Sequence, residues 1–464
     1  MNYKLKQRTK IHFHIMKNQR LSPNAFRTSI RSAARWMIGA LFVACVPGMP
    51  ATLHADETCE SPYMAKINGQ EEYIYVWTLG VDGLGDGSDK LVTVDARPYS
   101  PTYGKVIHTV SVGGRNEAHH GGFTDDRRQL WVAGLDSSRI FIFDVRTDSA
   151  RPKLVRTIAD FAEKTGGAAG PHGMYALPGR MLIPCLSNGH DRGGRTAMVE
   201  YGNDGQYITT WWMPTGDKPQ GAQIEELADG YGYDARVLPR KNVMLSSSFT
   251  GWSNYMRDFG DLVKDAGAMK HFGRTMVLWN LHTRQPQKVF HVPGAPLEVR
   301  WAWGADHNYA FTATALTSKL WLVYEDEKGE WQARPVGDVG DPARMPLPVD
   351  ISISADDATL FVSCFGDGKV RVFDIRDPHH PGQVYEKQIG RQVNMISQSW
   401  NGKRLYFTSS LLANWDKKGA DNEQFLKAYE WDGRELKQRF AIDFNKEQLG
   451  RPHIMQFGSA KLYN

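Results

Sequence analysis

The sequence has 464 residues, of which 41% are hydrophobic and 11% aromatic, so it can bury one large core or two or three smaller ones. Its net charge is only +5, and nine basic residues precede the first acid, Asp56. The remainder therefore carries no basic footprint, which excludes a nucleic-acid-binding surface.

The N-terminus has the pattern of an export signal. Basic residues precede the apolar run 36–45, and Leu53-His54-Ala55 follows as a small-residue cleavage site. We expect cleavage after Ala55, a leader over 1–55, a single domain over 56–464, and a periplasmic protein. The apolar run is short for a bilayer span. A lipoprotein modified at Cys45 and an uncleaved membrane anchor are the alternatives.

Three cysteines remain beyond the leader, Cys59, Cys185 and Cys364. An odd, small number does not make a disulfide framework. Cys185 and Cys364 lie in strand-like runs, which predicts buried and unreactive thiols.

One strand pattern recurs along the chain and predicts the fold. An alternating strand ending near Asp or a turn residue appears seven times, at 90–95, 139–144, 196–201, 274–280, 319–324, 369–374 and 427–432. The copies lie roughly 45 to 80 residues apart, which suits one propeller blade plus loops. A second strand precedes most copies, at 129–133, 242–246, 309–313, 359–363 and 404–408. We therefore predict an all-β, seven-bladed β-propeller, with strand 73–77 near the ring closure. A pair of β-sandwiches is the alternative.

Helical patterns are scarce in this sequence. Residues 255–269 form the best candidate, as an insertion between two strands.

Polar residues recur at one position of the expected innermost strands. In four blades we count back by the same number of residues from the aromatic residue of the second strand. The count leads from Trp131 to His120, from Phe361 to Asp350, from Phe311 to Arg300, and from Tyr406 to Met395. His172, Asp234 and His453 take comparable places, and Glu298 shares the face of Arg300 by strand alternation. The expected ring comprises His119, His120, His172, Asp234, Glu298, Arg300, Asp350 and His453.

Each ring residue has an ordinary structural explanation. A channel histidine can be hydrogen-bonded structure, Asp350 can cap a turn, and Arg300 can neutralise Glu298. Several imidazoles and carboxylates at one axis are nevertheless costly without a cation or a paired network. We therefore predict a metal site, and imidazole-rich ligation favours copper, zinc or iron over calcium or magnesium.

Several motifs resemble the selenium-binding protein/methanethiol oxidase family over nearly all of the mature chain. They include His119-His120-Gly121-Gly122-Phe123, Ser100-Pro-Thr-Tyr103, Pro296-Leu-Glu-Val-Arg300, Asn414-Trp-Asp416 and His453. The resemblance implies an exported, copper-dependent oxidoreductase. It would convert methanethiol, O2 and water to formaldehyde, hydrogen sulfide and hydrogen peroxide, with copper on His119, His120, His172 and His453.

The sequence departs from the family pattern in two places. Gly104 stands where animal members carry a cysteine implicated in selenium binding. Tyr175 and Ala176 stand where a second histidine and a cysteine usually follow His172. The copper ligands and the substrate stay open on this point.

The expected mechanism has a metal-bound thiolate and a base, Asp350 or Asp234, for C–H deprotonation, with Glu298 and Arg300 as further catalytic candidates. Trp301, Trp303 and Met395 would shape an apolar methyl pocket, unless the tryptophans belong to the core. The expected partners are a small thiol and O2, without nucleic acid or a stable membrane partner; a homo-oligomer stays open. The alternatives are a non-catalytic periplasmic metal- or selenium-binding propeller and a copper oxidase of another small thiol.

Overall fold

The computed structural model describes residues 57–58, 60–216, 222, 224–416 and 423–462. The expected leader, Cys45 and Cys59 lie outside these residues, so the division at Ala55 stays a prediction. Within the described ranges, no helix is long and apolar enough to cross a membrane.

Antiparallel strands are the main regular secondary structure of the described chain. In chain order they are β1 (Tyr73–Leu79), β2 (Lys90–Asp95), β3 (Val106–Ser111), β4 (Ala118–Phe123), β5 (Gln129–Gly134), β6 (Arg139–Asp144), β7 (Lys153–Ile158), β8 (Ala168–Pro171), β9 (Tyr175–Leu177), β10 (Arg180–Asn188), β11 (Ala197–Gly202), β12 (Tyr207–Trp212), β13 (Ala235–Leu238), β14 (Val243–Ser246), β15 (Thr275–Asn280), β16 (Pro286–His291), β17 (Pro296–Trp301), β18 (Tyr309–Thr314), β19 (Lys319–Glu325), β20 (Trp331–Asp338), β21 (Pro348–Ile353), β22 (Thr359–Cys364), β23 (Lys369–Asp374), β24 (Gly382–Gln388), β25 (Ile396–Gln398), β26 (Arg404–Thr408), β27 (Phe425–Trp431), β28 (Leu436–Asp443) and β29 (Arg451–Gly458).

The described strands form seven sheets, each one blade of a β-propeller. Blade 1 has the order β29-β1-β2-β3, and blades 2 to 7 are β4–β7, β8–β12, β13–β16, β17–β20, β21–β24 and β25–β28. Around most of the ring the first strand of a blade contacts the first strand of the next, as β17 does with β13 and β21. The predicted seven-bladed propeller is confirmed, and the pair of β-sandwiches is excluded.

Ring closure joins the two ends of the described chain. Strand β29 pairs with β1, so a C-terminal strand becomes the innermost strand of the first blade. Closure leaves no open edge between the last blade and the first. The strand predicted at 73–77 lies at this closure, as expected.

The recurring strand of the sequence is the third strand of every blade. Its copies correspond to β2, β6, β11, β15, β19, β23 and β27. Several of these strands are entered through a left-handed residue, namely Ser138, Ser318 and Gly368, with φ of 51°, 51° and 68°. A type I turn followed by such a residue is a common hairpin connection, which explains the small residue before these three strands.

Short helices interrupt the sheets, and they are α1 (Phe161–Lys164), α2 (Trp252–Tyr255), α3 (Phe259–Leu262) and α4 (Ala266–Met269), with 3₁₀ turns at Pro239–Lys241 and Pro342–Arg344. The predicted helical insertion lies between β14 and β15, but as three single turns. Asp258 and Asp265 each accept two backbone N–H groups and start a new turn. Aspartate favours such N-caps and is a poor residue inside a helix.

Candidate metal centre

Strand β4 brings two consecutive histidines to the axis. Neighbouring side chains of a regular strand point to opposite faces. The register of β4 against β5 shifts between Ala118 and Gly121, so His119 and His120 lie in a bulge. A bulge re-aims side chains, and this one lets both imidazoles join the same cluster.

Glycine at position 122 is required by close backbone approach. A Cβ there would lie 1.9 Å from the carbonyl oxygen of Met174, two residues beyond His172. The glycine therefore lets β4 approach the segment that carries His172.

Four buried imidazoles meet at this point, supplied by β4, by the residue after β8 and by β29. The ring centroids of His119 and His453 are 3.9 Å apart, and those of His120 and His172 are 4.0 Å apart. One ligand nitrogen from each of His119, His120 and His172 lies within 4.8 Å of the others. The structure thus brings together all four histidines expected to bind metal.

The cluster is buried and short of hydrogen bonds. Within the described residues, His119 Nδ1, His120 Nε2, both ring nitrogens of His172, and His453 Nε2 lack a hydrogen-bond partner. The Tyr233 backbone faces His172 outside hydrogen-bond geometry. Unpaired buried nitrogens cost free energy unless a ligand satisfies them.

Burial also keeps these imidazoles neutral. It is the largest cause that lowers the pKa of His172 and of His453 to about 3. The pKa values of His119 and His120 are lowered in the same direction. Neutral imidazole is the form that binds metal, so the donor set fits a copper, zinc or iron ion.

A buried ion network adjoins the cluster through Glu298. Its Oε1 lies 3.6 Å from His120 Nε2 and has no hydrogen-bond partner in the described part of the chain. Its Oε2 accepts from Arg300 Nη1 at 2.8 Å. Burial, and then the charge of Asp234, raises the pKa of Glu298 to about 8.

Unlike Glu298, the two aspartates of the expected ring use both carboxylate oxygens in hydrogen bonds. Asp350 accepts from Arg300 Nη2 at 2.9 Å and from the backbone N–H groups of Ile351 and Ile396. Asp234 accepts from Arg236, from Arg300 and from two backbone N–H groups. These aspartates fix the arginines, and Glu298 is the carboxylate with an oxygen left at the histidines.

The count back from the aromatic residues reached Arg300, which lies two residues beyond the equivalent position in its strand. Trp131, Phe361 and Tyr406 pair with Gly122, Ser352 and Ser397, each two residues beyond the counted residue. Phe311 pairs with Arg300 itself, because the β17–β18 connection is two residues longer. Glu298 therefore holds the position equivalent to His120, Asp350 and Met395.

An apolar cavity of about 20 Å³ lies against His119. We call it the axial cavity; its wall includes Leu297, Val349, Leu412 and Trp415. The residues of the expected methyl pocket, Trp301, Trp303 and Met395, do not line one cavity together. Trp301 and Trp303 line a different cavity, of about 110 Å³, with Arg236 and Arg300. Met395 belongs to a buried hydrophobic core.

Sequence reasoning missed Tyr233, whose ring lies 4.1 Å from that of His172, and Asn394, whose amide lies 3.3 Å from His453 Nδ1. A signal was present in the sequence. The residues before Asp234, Glu298 and Asp350 reach the histidines or the axial cavity, and these are Tyr233, Leu297 and Val349. Asn394 takes the same place before Met395 and reaches His453.

Both family departures have a structural consequence. Gly104 has φ of 71°, and a Cβ there would meet the Phe440 ring at 2.8 Å, so this backbone excludes a cysteine. Tyr175 is buried, with the guanidinium carbon of Arg236 4.9 Å from its ring centroid. As predicted, Cys185 and Cys364 are buried free thiols. Burial raises the pKa of both.

Comparison with known proteins decides the family. Residues 53–459 match the family model described as 56kDa selenium binding protein (SBP56). The chain belongs to this family. It is 65% identical to a methanethiol oxidase of Ruegeria pomeroyi over 423 residues, covering 91% of this chain and 97% of that protein. It is 56% identical to a methanethiol oxidase of Hyphomicrobium sp over 421 residues, covering 90% and 93%.

A solved structure of the SBP56 relatives supports the fold. The X-ray structure of a hypothetical selenium-binding protein from Sulfolobus tokodaii superposes with a TM-score of 0.72 at 24% identity. It covers 84% of this chain and 94% of that one. At this identity the likeness concerns the propeller fold alone.

Proposed function

We propose that this protein is an oxidoreductase that converts methanethiol, O2 and water to formaldehyde, hydrogen sulfide and hydrogen peroxide. The supporting observation is a cluster of four buried imidazoles in a chain 65% identical to a methanethiol oxidase. Carbon is oxidised from the thiol to the aldehyde level, and O2 takes up the two electrons and two protons as peroxide. The oxygen of formaldehyde comes from water.

The proposed metal is copper, held by His119, His120, His172 and His453. Their unpaired, neutral nitrogens fit a cation that prefers imidazole. When bound, copper would supply one-electron redox chemistry between thiol and oxygen and lower the pKa of a coordinated thiol.

The protein's own contribution to proton transfer centres on Glu298 Oε1. This atom faces His120, has no hydrogen-bond partner among the described residues, and would accept a proton released at the histidine cluster. Arg300 orients the carboxylate through Oε2, and Asp234 and Asp350 hold that arginine in place. Asp234 and Asp350 thus become positioning residues rather than the base expected from sequence.

Periplasmic export follows from the leader pattern and forms part of the proposal. Fractionation of the native host and N-terminal sequencing of the purified protein test it. A mature chain that starts at Asp56 and leaves the cell with the periplasmic fraction is expected. Retention in the cytoplasm with residues 1–55 intact would contradict it.

The second candidate function is a metal- or selenium-binding propeller without turnover. The description of the family as selenium binding favours it. Gly104 opposes selenium attachment at the cysteine position of animal members, because the site excludes a side chain. A copper oxidase of another small thiol is the third candidate, and a substrate panel separates it from the first.

The deciding experiment compares the purified wild-type protein with His120→Ala. Metal content is measured beside the O2-dependent release of formaldehyde, sulfide and peroxide from methanethiol. We expect metal and all three products from the wild type, and loss of both in His120→Ala. His380→Ala, in an exposed outer turn, is the matched control and should keep both. Metal without products in the wild type would favour the binding protein.

A further inference from the structure

The axial cavity borders the histidine cluster on one side and hydrocarbon on the others. His119 lines it, and Leu297, Val349, Leu411, Leu412 and Trp415 belong to its wall. A small ligand with a donor atom at the histidines and an apolar tail would place the tail here. Such a pocket, largely apolar with a few polar atoms at one end, is the usual form of a small-molecule site.

We propose that the axial cavity holds the alkyl group of the thiol and that its wall sets the accepted chain length. This inference rests on the proposed thiol oxidation and adds the residues that select the substrate. The cavity volume is about 20 Å³, and about one water-sized group fills such a space. A methyl group is accommodated, and each further methylene must displace the wall.

The wall is fixed by hydrogen bonds, so it resists displacement. The loop that carries Leu411, Leu412 and Trp415 is tied down at two buried carboxylates. Asp416 accepts from the Leu411 N–H at 2.9 Å and from Ser410 Oγ at 2.8 Å. Glu117 Oε1 accepts from the Ala413 N–H at 2.7 Å.

Trp415 packs against aromatic side chains of the insertion between β14 and β15. Its ring centroid lies 5.6 Å from that of Phe249 and 4.8 Å from that of Phe259. Edge-on and tilted aromatic contacts of this kind add stability beyond area burial. A rigid wall discriminates by size, whereas a loose wall would adapt to longer chains.

Chain-length kinetics with methanethiol, ethanethiol and 1-propanethiol test the proposal. In the wild type, kcat/KM should fall about tenfold or more for each added methylene. Leu412→Ala enlarges the cavity and should raise the ratio of 1-propanethiol to methanethiol at least about tenfold. Ala315→Val fills the same cavity and should lower kcat/KM for methanethiol with the metal content unchanged.

Leu436→Ala is the matched control, because Leu436 belongs to the same blade and, like Leu412, is 2% exposed. Its substrate ratio should equal that of the wild type. Equal ratios in all four proteins would overturn the proposal and identify the cavity as a packing gap. If Leu412→Ala does not fold, Ala315→Val still tests the proposal, because it should make the cavity smaller rather than larger.

Anaerobic calorimetry of alkanethiol binding separates this inference from the proposed function. A wild type that releases no sulfide would refute thiol oxidation. The cavity would still be tested, since Leu412→Ala should bind 1-propanethiol at least about tenfold more tightly than the wild type does. Unchanged affinity in that variant would refute the alkyl site by itself.

Discussion

The two carboxylate oxygens of Glu298 have different surroundings. Oε2 is held by Arg300 at 2.8 Å, whereas Oε1 faces His120 at 3.6 Å without a hydrogen-bond partner among the described residues. A buried carboxylate oxygen without a donor is costly, which makes this atom the strongest candidate for proton transfer. The neighbouring aspartates lack such an atom.

Replacing Glu298 by glutamine should lower kcat by about 10²-fold or more, because the amide cannot accept the substrate proton. KM for methanethiol and the metal content should change little. Glu71→Gln is the control, since Glu71 is equally buried and also paired with an arginine, Arg404. Full turnover in Glu298→Gln would remove this residue from the mechanism.

Asp234 contributes stability through its charge. Burial raises its pKa, but the charges of Arg236 and Arg300 outweigh burial and hold the pKa at about 2. A depressed carboxyl pKa stabilises the fold above the unfolded pKa, near 4, and the contribution is lost as pH falls toward 2.

Asp234→Asn should therefore lower the free energy of unfolding at pH 7 by roughly 2 kcal/mol. The deficit should shrink between pH 4 and pH 2. Urea unfolding of both metal-free proteins at pH 7, 4 and 3 measures it. A deficit that is constant with pH would assign the effect to packing rather than to charge.

At the scale of the element, the central strands were predictable and the outer ones were not. The third strands carry runs of buried apolar residues bounded by turns, as β6 and β15 do, so they are visible in the sequence. The outermost strands, such as β24, are mostly exposed and carry polar residues on both faces. Each outermost strand forms by pairing with its neighbour, and its own sequence does not indicate that pairing.

Strand β29 is the element on which closure depends. Phe457 is fully buried in it, and its ring lies 5.1 Å from that of Tyr406 in blade 7. Phe457→Ala should lower the free energy of unfolding by about 3–5 kcal/mol. Val384→Ala, on the exposed face of β24, should change it by less than about 0.5 kcal/mol. Similar losses in both would contradict a closure that depends on β29.

At the scale of the whole molecule, the sequence located the histidines and the charged residues beside them, but not the roles of these charged residues. The four imidazoles were found because each lies in or directly after an innermost strand. The count back from Phe311 missed Glu298, because the connection between β17 and β18 is two residues longer than in the other blades compared. The axial cavity escaped notice because its residues come from separate blades and share no spacing in the sequence.

The central claim is that His119, His120, His172 and His453 hold a catalytic copper ion. Anomalous diffraction from crystals of the purified protein, collected on both sides of the copper absorption edge, tests it most directly. The account predicts one strong peak among the four imidazoles, present above the edge and absent below it. A protein that oxidises methanethiol without a copper peak at these residues would contradict it.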